Sequence, residues 1–249
     1  MNYHVLKLVY DTCVALREQY PCDPLGNDDE ANFLLYLLKN AQSSNSQLFQ
    51  DIWVLYETRQ KKSGYFVEFG ACNGKTLSNS FILEKQHNWN GIVAEPGKIW
   101  RSGIIAERNC IVSTKCIYTT TGEIVTFNET PNAELSTIES YSESDSHAVL
   151  REQGEKHLVE TIRLGDLLRQ SKAPNEIDYL SIDTEGSEFD ILLDHDFEEY
   201  RFNLISVEHN GTENREKIFE LLTSKGYRRK FTRLSIFDDW YVRADYQPG

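Results

Sequence analysis

The stretch YFVEFGACNGKTLSNS, Tyr65 to Ser80, decides how this chain is read. An apolar run closes on an acid, Glu68, and two glycines, Gly70 and Gly74, then bracket a short turn that leads into residues at helical spacing. A strand running through a glycine turn into a helix is the repeating unit of a parallel α/β sheet. In such sheets ligands sit beyond the carboxyl ends of the strands, near the point where strand order reverses. Gly70 and Gly74 allow a tight turn and a close approach of ligand to backbone N–H groups. Their Gly-x-x-x-Gly spacing departs from the dinucleotide fingerprint, and the turn lacks the Lys-Ser/Thr ending of a phosphate-binding loop. A pyrophosphate is therefore disfavoured, and a nicotinamide dinucleotide with it.

Reading outward, Gly91–Glu95 forms the next strand and ends on Glu95-Pro96. A carboxylate there can accept hydrogen bonds from both hydroxyls of a ribose. A ribose without a pyrophosphate, together with an acid near the first loop that can meet an ammonium, suits S-adenosyl-L-methionine. Further strands are expected at Cys110–Ser113, Ile177–Asp183 and Asn203–Glu208, with a hairpin around TTTGE leading into IVTF. A helix over NREKIFELLTSKG precedes two final strands, around YRRKFTR and DDWYVRA, whose short connection implies an antiparallel edge. Helical periodicity marks Ala31–Ala41 and Gln47–Gln60, with Ser46 available as a cap, and the stretch after Thr76 reads as a helix through His87. The expected organisation is an N-terminal helical extension over residues 1–60 and one α/β domain over 61–249. The Ser- and Glu-rich segment Glu129–Lys156 resists assignment and reads as a lid or flexible surface.

The 249 residues suffice for a substantial core without staples, and a net charge of −13 argues against a surface that grips nucleic acid. The one basic stretch, Lys225–Arg233, reads as a solvated helix end and edge strand. Five cysteines, odd in number and without metal-type clustering, suggest reduced thiols and a cytoplasmic protein. The opening residues lack a cationic lead before an apolar run, and no segment approaches membrane-spanning length. Oligomeric state is not specified by the sequence.

The run SQLFQD…GYFVEFGACNGKTLSNSFILE…WNGIVAEP resembles the FkbM family of S-adenosylmethionine-dependent methyltransferases, and DYLSIDTEGSEFDIL and ISVEHN match its later blocks. The resemblance covers about Ser46 to Val242, with Glu129–Lys156 unmatched. ACNG stands where the family has Ala-Asn-Asp-Gly, so Cys72 and Asn73 replace an amide and an acid. The resemblance implies a Rossmann-like class I methyltransferase fold, with a mostly parallel sheet. It also implies a cofactor held by Glu68, Gly70, Ala71, Asn73, Gly74, Glu95 and Pro96, with Gln47, Ser46 and Asp51 at the methionine end. Cys116 is placed to line the adenine site, or to serve as a buried structural thiol.

An alcohol attacks a methyl sulfonium in line and is a weak nucleophile until its proton is taken. The ends of the fourth and fifth strands supply Asp183, Glu185 and Glu188, and Glu208, His209 and Asn210, unusually polar termini for apolar strands. In one mechanism His209 or Asp183 is the general base. In the other, Asp183, Glu208 and His209 or Asn210 bind a divalent cation, magnesium or manganese, that lowers the pKa of the hydroxyl. Glu188 reads as a capping partner, and His147 is a further candidate base. The family implies an oxygen acceptor on a sugar or glycan, for which Tyr141 and Trp240 are possible stacking surfaces. The competing class is a non-catalytic protein that keeps this fold and binds a partner.

Overall fold

The computed structural model describes residues 28–248 together with residues 7, 8, 10–12, 14, 15 and 18. The expectations for the opening residues and for Cys13 and Cys22 fall outside the described residues. Two compact units divide the chain, Met1–Gln42 and Ser43–Gly249. In the first, α1 (Asp29–Asn40) begins where the Asp28 carboxylate accepts a hydrogen bond from the Ala31 N–H, and Asp29 and Glu30 complement the helix dipole.

The second unit opens with α2 (Gln50–Glu57), β1 (Tyr65–Phe69), α3 (Phe81–His87), β2 (Asn90–Ala94), α4 (Arg101–Glu107) and β3 (Ile111–Ser113). There follow β4 (Cys116–Ile117), β5 (Ile124–Glu129), β6 (Thr137–Ile138), α5 (Ala148–Arg151), β7 (Glu155–Ile162) and α6 (Leu164–Gln170). The chain then runs through β8 (Glu176–Ile182), α7 (Glu188–Asp194), β9 (Arg201–Glu208), α8 (Asn214–Ser224), β10 (Tyr227–Lys230) and β11 (Asp238–Arg243).

Seven strands form the main sheet in the order β10-β11-β9-β8-β1-β2-β3. Its members are parallel except β11, which runs antiparallel to both β9 and β10 and makes the expected mixed edge. β8 and β9 are buried at every residue but the first, as their continuous apolar runs require of strands covered on both faces. Leu167 and Leu168 of α6, Leu192 of α7 and Leu222 of α8 join Val67, Leu180 and Ile205 in one core, each such side chain stabilising the fold by about 1.5–3 kcal/mol. Trp240 belongs to the interior as well. Its ring stacks on Trp53 of α2 at 5.2 Å and is 1% exposed, so it cannot be the sugar platform suggested above.

From β1 the chain steps outward to β2 and β3, and it later returns to place β8 on the other side of β1. The crest between β1 and β8 is therefore the switch point at which ligands bind in open sheets.

Several local expectations are corrected. Thr76–Ser80 is not helical. Leu77 takes a left-handed φ of 62°, and Ser78, Asn79 and Ser80 turn their polar groups onto Glu68 instead of continuing a helix. The TTTGE turn does not close a hairpin. β4 and β5 both flank β7, an unanticipated strand, in a second sheet of order β4-β7-β5-β6. Glu129–Lys156 contains β6 and α5 and is fastened by Arg151, whose side chain is wholly buried. Among the described residues no helix is long and apolar enough to cross a membrane.

Candidate active site

A cavity of about 460 Å³ lies over the crest, within the usual range for small-molecule sites. β1 and its turn contribute Glu68, Phe69, Gly70 and Cys72, while β2 and β4 contribute Glu95, Pro96, Cys116 and Ile117. Asp183, Glu185, Glu208 and Asn210 follow β8 and β9, and the segment after β5 adds Glu134, Leu135, Ile138, His147 and Leu150. Cys72, Leu77, Glu185 and Asn210, all on its walls, have φ of 47°, 62°, 60° and 47°. Non-glycine residues held there cost about 1–3 kcal/mol each and gather where function requires a fixed backbone.

Gly70, at φ +73°, is where the turn meets the neighbouring loop: a Cβ there would lie 1.9 Å from the Asp183 carbonyl oxygen. Glu68 is held in place by its partners. Its carboxylate accepts from the Ser78 and Ser80 hydroxyls at 2.8 and 2.5 Å, from the Asn79 N–H at 2.6 Å, and from Arg108 Nη1 at 3.4 Å. Arg108, itself buried, also donates to the Gly74 carbonyl at 3.1 Å, so the acid and the guanidinium together fasten the turn. Glu68 is thus scaffold rather than a free anion awaiting an ammonium.

Glu95 is placed differently. One carboxylate oxygen accepts from the Cys72 N–H at 3.0 Å and the other from the Gly97 N–H at 2.7 Å. A carboxylate has about four lone-pair positions, which leaves two for a ribose diol. Burial pushes its pKa up to about 7, partly offset by those two N–H groups. Cys116, buried beside it, has its thiol pushed up to about 12 by burial and stays un-ionised. Gln47 reaches the cavity, whereas Asp51 spends its carboxylate on Ser44 and the N–H groups of Asn45 and Ser46. Asn73 accepts from the Lys75 and Thr76 N–H groups, so Asn73, Ala71 and Gly74 shape the turn without lining the cavity.

At the other end, carboxylate oxygens of Asp183, Glu185 and Glu208 all lie within 4.8 Å of one another. Parallel pairing of Ile182 with Val207 sets Asp183 beside Glu208, which brings their carboxyl groups together. Burial raises the pKa of both well above the ordinary carboxyl range, and each charge raises it further for its neighbours. Glu185 is pushed up to about 8 by burial, against the pull of Arg151. Arg151 Nη2 donates to Glu185 at 2.7 Å, its Nη1 to Asp145 at 2.8 Å, and its Nε to the Leu135 carbonyl at 2.8 Å. This buried guanidinium ties the segment after β5 to the acidic end of the cavity. Arg151→Met is expected to lower stability by about 3–5 kcal/mol, because Asp145 and Glu185 would stay buried without their cation. Equilibrium denaturation by urea measures it, and a change below about 1 kcal/mol would deny Arg151 this role.

His209 does not join the acids. Its Nδ1 accepts from the Gly211 N–H at 3.0 Å, so Nε2 carries the proton and points toward Asp239, 3.9 Å away. It lies outside the main cavity, and burial lowers its pKa. The carboxylates after β8 and β9 thus gather as Asp183, Glu185 and Glu208, with Glu185 in the place expected of His209. Glu188 accepts from the Thr184 and Gly186 N–H groups, as expected of a partner at the start of α7. Tyr141 hydrogen-bonds Asp190 and Tyr118 away from the cavity, whereas His147 lines it.

The strand order, the glycine turn after β1, the acid closing β2 and the acids after β8 and β9 define a Rossmann-like class I methyltransferase. The family model for the methyltransferase FkbM domain matches residues 68–229, well over half of the chain, and the chain belongs to that family. The free lone pairs of Glu95 and the backbone bared at Gly70 leave this end of the cavity open to a ligand.

Three solved structures resemble it distantly. Methyltransferase FkbM from Methylobacillus flagellatus KT has a TM-score of 0.45 and 12% identity over 86% of this chain, which spans 60% of that protein's length. Precorrin-6y C5,15-methyltransferase from Geobacter metallireducens GS-15 has a TM-score of 0.42 and 11% identity, over 77% of this chain and 85% of its own. A TehB-like SAM-dependent methyltransferase from Corynebacterium glutamicum ATCC 13032 Kitasato has 0.36 and 9%, over 86% and 95%. No curated protein matches the chain.

Proposed function

We propose that this methyltransferase transfers its methyl group to a hydroxyl oxygen of a sugar or glycan. The observation that carries the reading is the cluster of carboxyl groups, Asp183 and Glu208 with Glu185, whose oxygens lie within 4.8 Å of one another at the β8–β9 end of the cavity. When bound, S-adenosylmethionine supplies an electrophilic methyl on a sulfonium. Buried so close together, the acids resist ionising at once; one that is ionised takes the acceptor's hydroxyl proton as the O–CH₃ bond forms and the S–CH₃ bond breaks. His209 has no part in that transfer in this reading.

Charge supports a neutral polyol. Glu134, Asp183, Glu185 and Glu208 line this end, and Lys115, the lining lysine, already pairs with Glu160 at 2.7 Å. An anionic acceptor would have to be desolvated among like charges. A second reading rests on the spacing of the three acids, whose oxygens are close enough to share one magnesium or manganese ion that would activate the same hydroxyl.

The test is incubation with radiolabelled methyl donor and matched neutral and acidic sugars, with and without chelator. Label is expected in a hydroxyl of a neutral sugar and not in its uronic acid counterpart. Turnover that survives chelation supports the carboxylate base, and loss restored by magnesium or manganese supports the ion. Binding of S-adenosylhomocysteine with no transfer to any sugar would favour the partner-binding protein instead.

A further inference from the structure

Among the described residues that line the cavity, Asn79 carries a buried side-chain atom without a hydrogen-bond partner. Asn79 is 8% exposed and lines the cavity, and its Nδ2 donates to the Ser181 hydroxyl at 2.9 Å. Its Oδ1 is buried and receives no hydrogen bond. Buried acceptors without donors are rare because the fold loses their hydration and gains nothing in return. At the wall of a ligand cavity, such an acceptor is explained by a donor that arrives with the ligand.

The sheet order fixes which part of the ligand that is. Glu95 closes β2, Gly70 follows β1, and Ser181 lies on β8, paired in register with Glu68. Asn79 therefore stands over the β1–β8 boundary, on the far side of the glycine turn from the ribose acid. A nucleoside whose ribose rests on Glu95 and whose sulfur crosses Gly70 carries its amino-acid portion to that boundary. The other acceptors there are engaged. Oε2 of Glu68 accepts from Ser78, Ser80 and Arg108, and its Oε1 from the Asn79 N–H. Gln50 accepts from the Leu48 N–H and donates to Asp238, and Asp183 clusters with Glu185 and Glu208.

We infer that the Asn79 side-chain oxygen accepts a hydrogen bond from the α-ammonium group of the methyl donor. The inference rests on the cofactor part of the proposed function. In it, the Ser-Asn-Ser turn does two jobs: its hydroxyls and N–H lock Glu68, and that lock aims the Asn79 amide at the ammonium.

Calorimetry on the full chain tests this with S-adenosylhomocysteine and its desamino analogue, which lacks only the ammonium. Asn79→Ala is expected to weaken S-adenosylhomocysteine by about tenfold or more, as for a hydrogen bond to a charged group, and to leave the desamino analogue within about twofold. Asn79→Asp retains an acceptor oxygen and is expected to restore S-adenosylhomocysteine affinity; it also serves if the alanine variant folds poorly. Equal weakening of both ligands, or of neither, would overturn the inference while the cofactor reading stood. If the unaltered protein bound neither ligand, the cofactor reading would fall and take the inference with it.

Discussion

Asp183→Asn is expected to lower methyl transfer by about a hundred- to ten-thousand-fold, the range supplied by a general base, and to leave S-adenosylhomocysteine affinity nearly unchanged. The substitution keeps the side chain's volume but removes one of the three clustered carboxyl groups. The same variant is expected to melt at a higher temperature than the unaltered protein at about pH 8, since a buried like-charge cluster opposes folding once it ionises. The sign follows from proton linkage. Glu185 titrates at about 8, and Glu95 and Asp238 at about 7, each raised chiefly by burial. Unfolded carboxyl groups release their protons near pH 4, so between roughly pH 4 and 8 these three groups hold more protons in the folded protein than in the unfolded chain. Stability contributed by these groups is therefore present at the acid end of that window and lost as pH rises through it. Melting curves of ligand-free protein at about pH 5.5 and pH 8.5 should show the decline, and Asp183→Asn should flatten it. Unchanged turnover would remove Asp183 from the chemistry, and a lower melting temperature at about pH 8 would make it a structural residue.

Much of this is legible in the sequence. The apolar runs of β1, β2, β8 and β9 are long enough, and the helices between them periodic enough, to impose a parallel sheet. Glu95, Gly70, Asp183 and Glu208 stand at strand ends, where position along the chain is position in the site. What failed to read through was set by contacts distant in sequence. The Thr76–Ser80 stretch looks helical until Glu68, ten residues earlier, claims its hydroxyls. Arg151 shows nothing of its role in sequence, because its partner Glu185 is 34 residues away and the link exists only once β5–β7 folds back over the crest. By residue type His209 reads as a base, yet the Gly211 N–H occupies its Nδ1 and the ring's Nε2 faces Asp239. Alternation in EKHLVETI could have announced β7, and its charged flanks masked it.

Gly70→Ala is expected to abolish measurable S-adenosylhomocysteine binding, and a second glycine shows why this exceeds an ordinary backbone penalty. Gly122, in the TTTGE turn, has φ +83°, and a Cβ there would have nothing within 4 Å. Gly122→Ala should therefore cost only the left-handed conformation, about 1–2 kcal/mol, with no effect on binding. At Gly70 the same conformational cost is joined by a contact of 1.9 Å with the Asp183 carbonyl oxygen and 3.0 Å with its carbon. Main chain cannot rotate away as a flexible side chain can, so the β1 turn and the loop after β8 must separate. In the proposed reaction that separation would move Gly70 away from the cofactor and Asp183 away from the acceptor, so one methyl group would disturb both ends of the reaction. Calorimetry and melting curves on the two variants, side by side, isolate the steric part by difference. Were Gly70→Ala to match Gly122→Ala in stability and still bind the nucleoside, the two loops would not be in contact and the crest could not be the site.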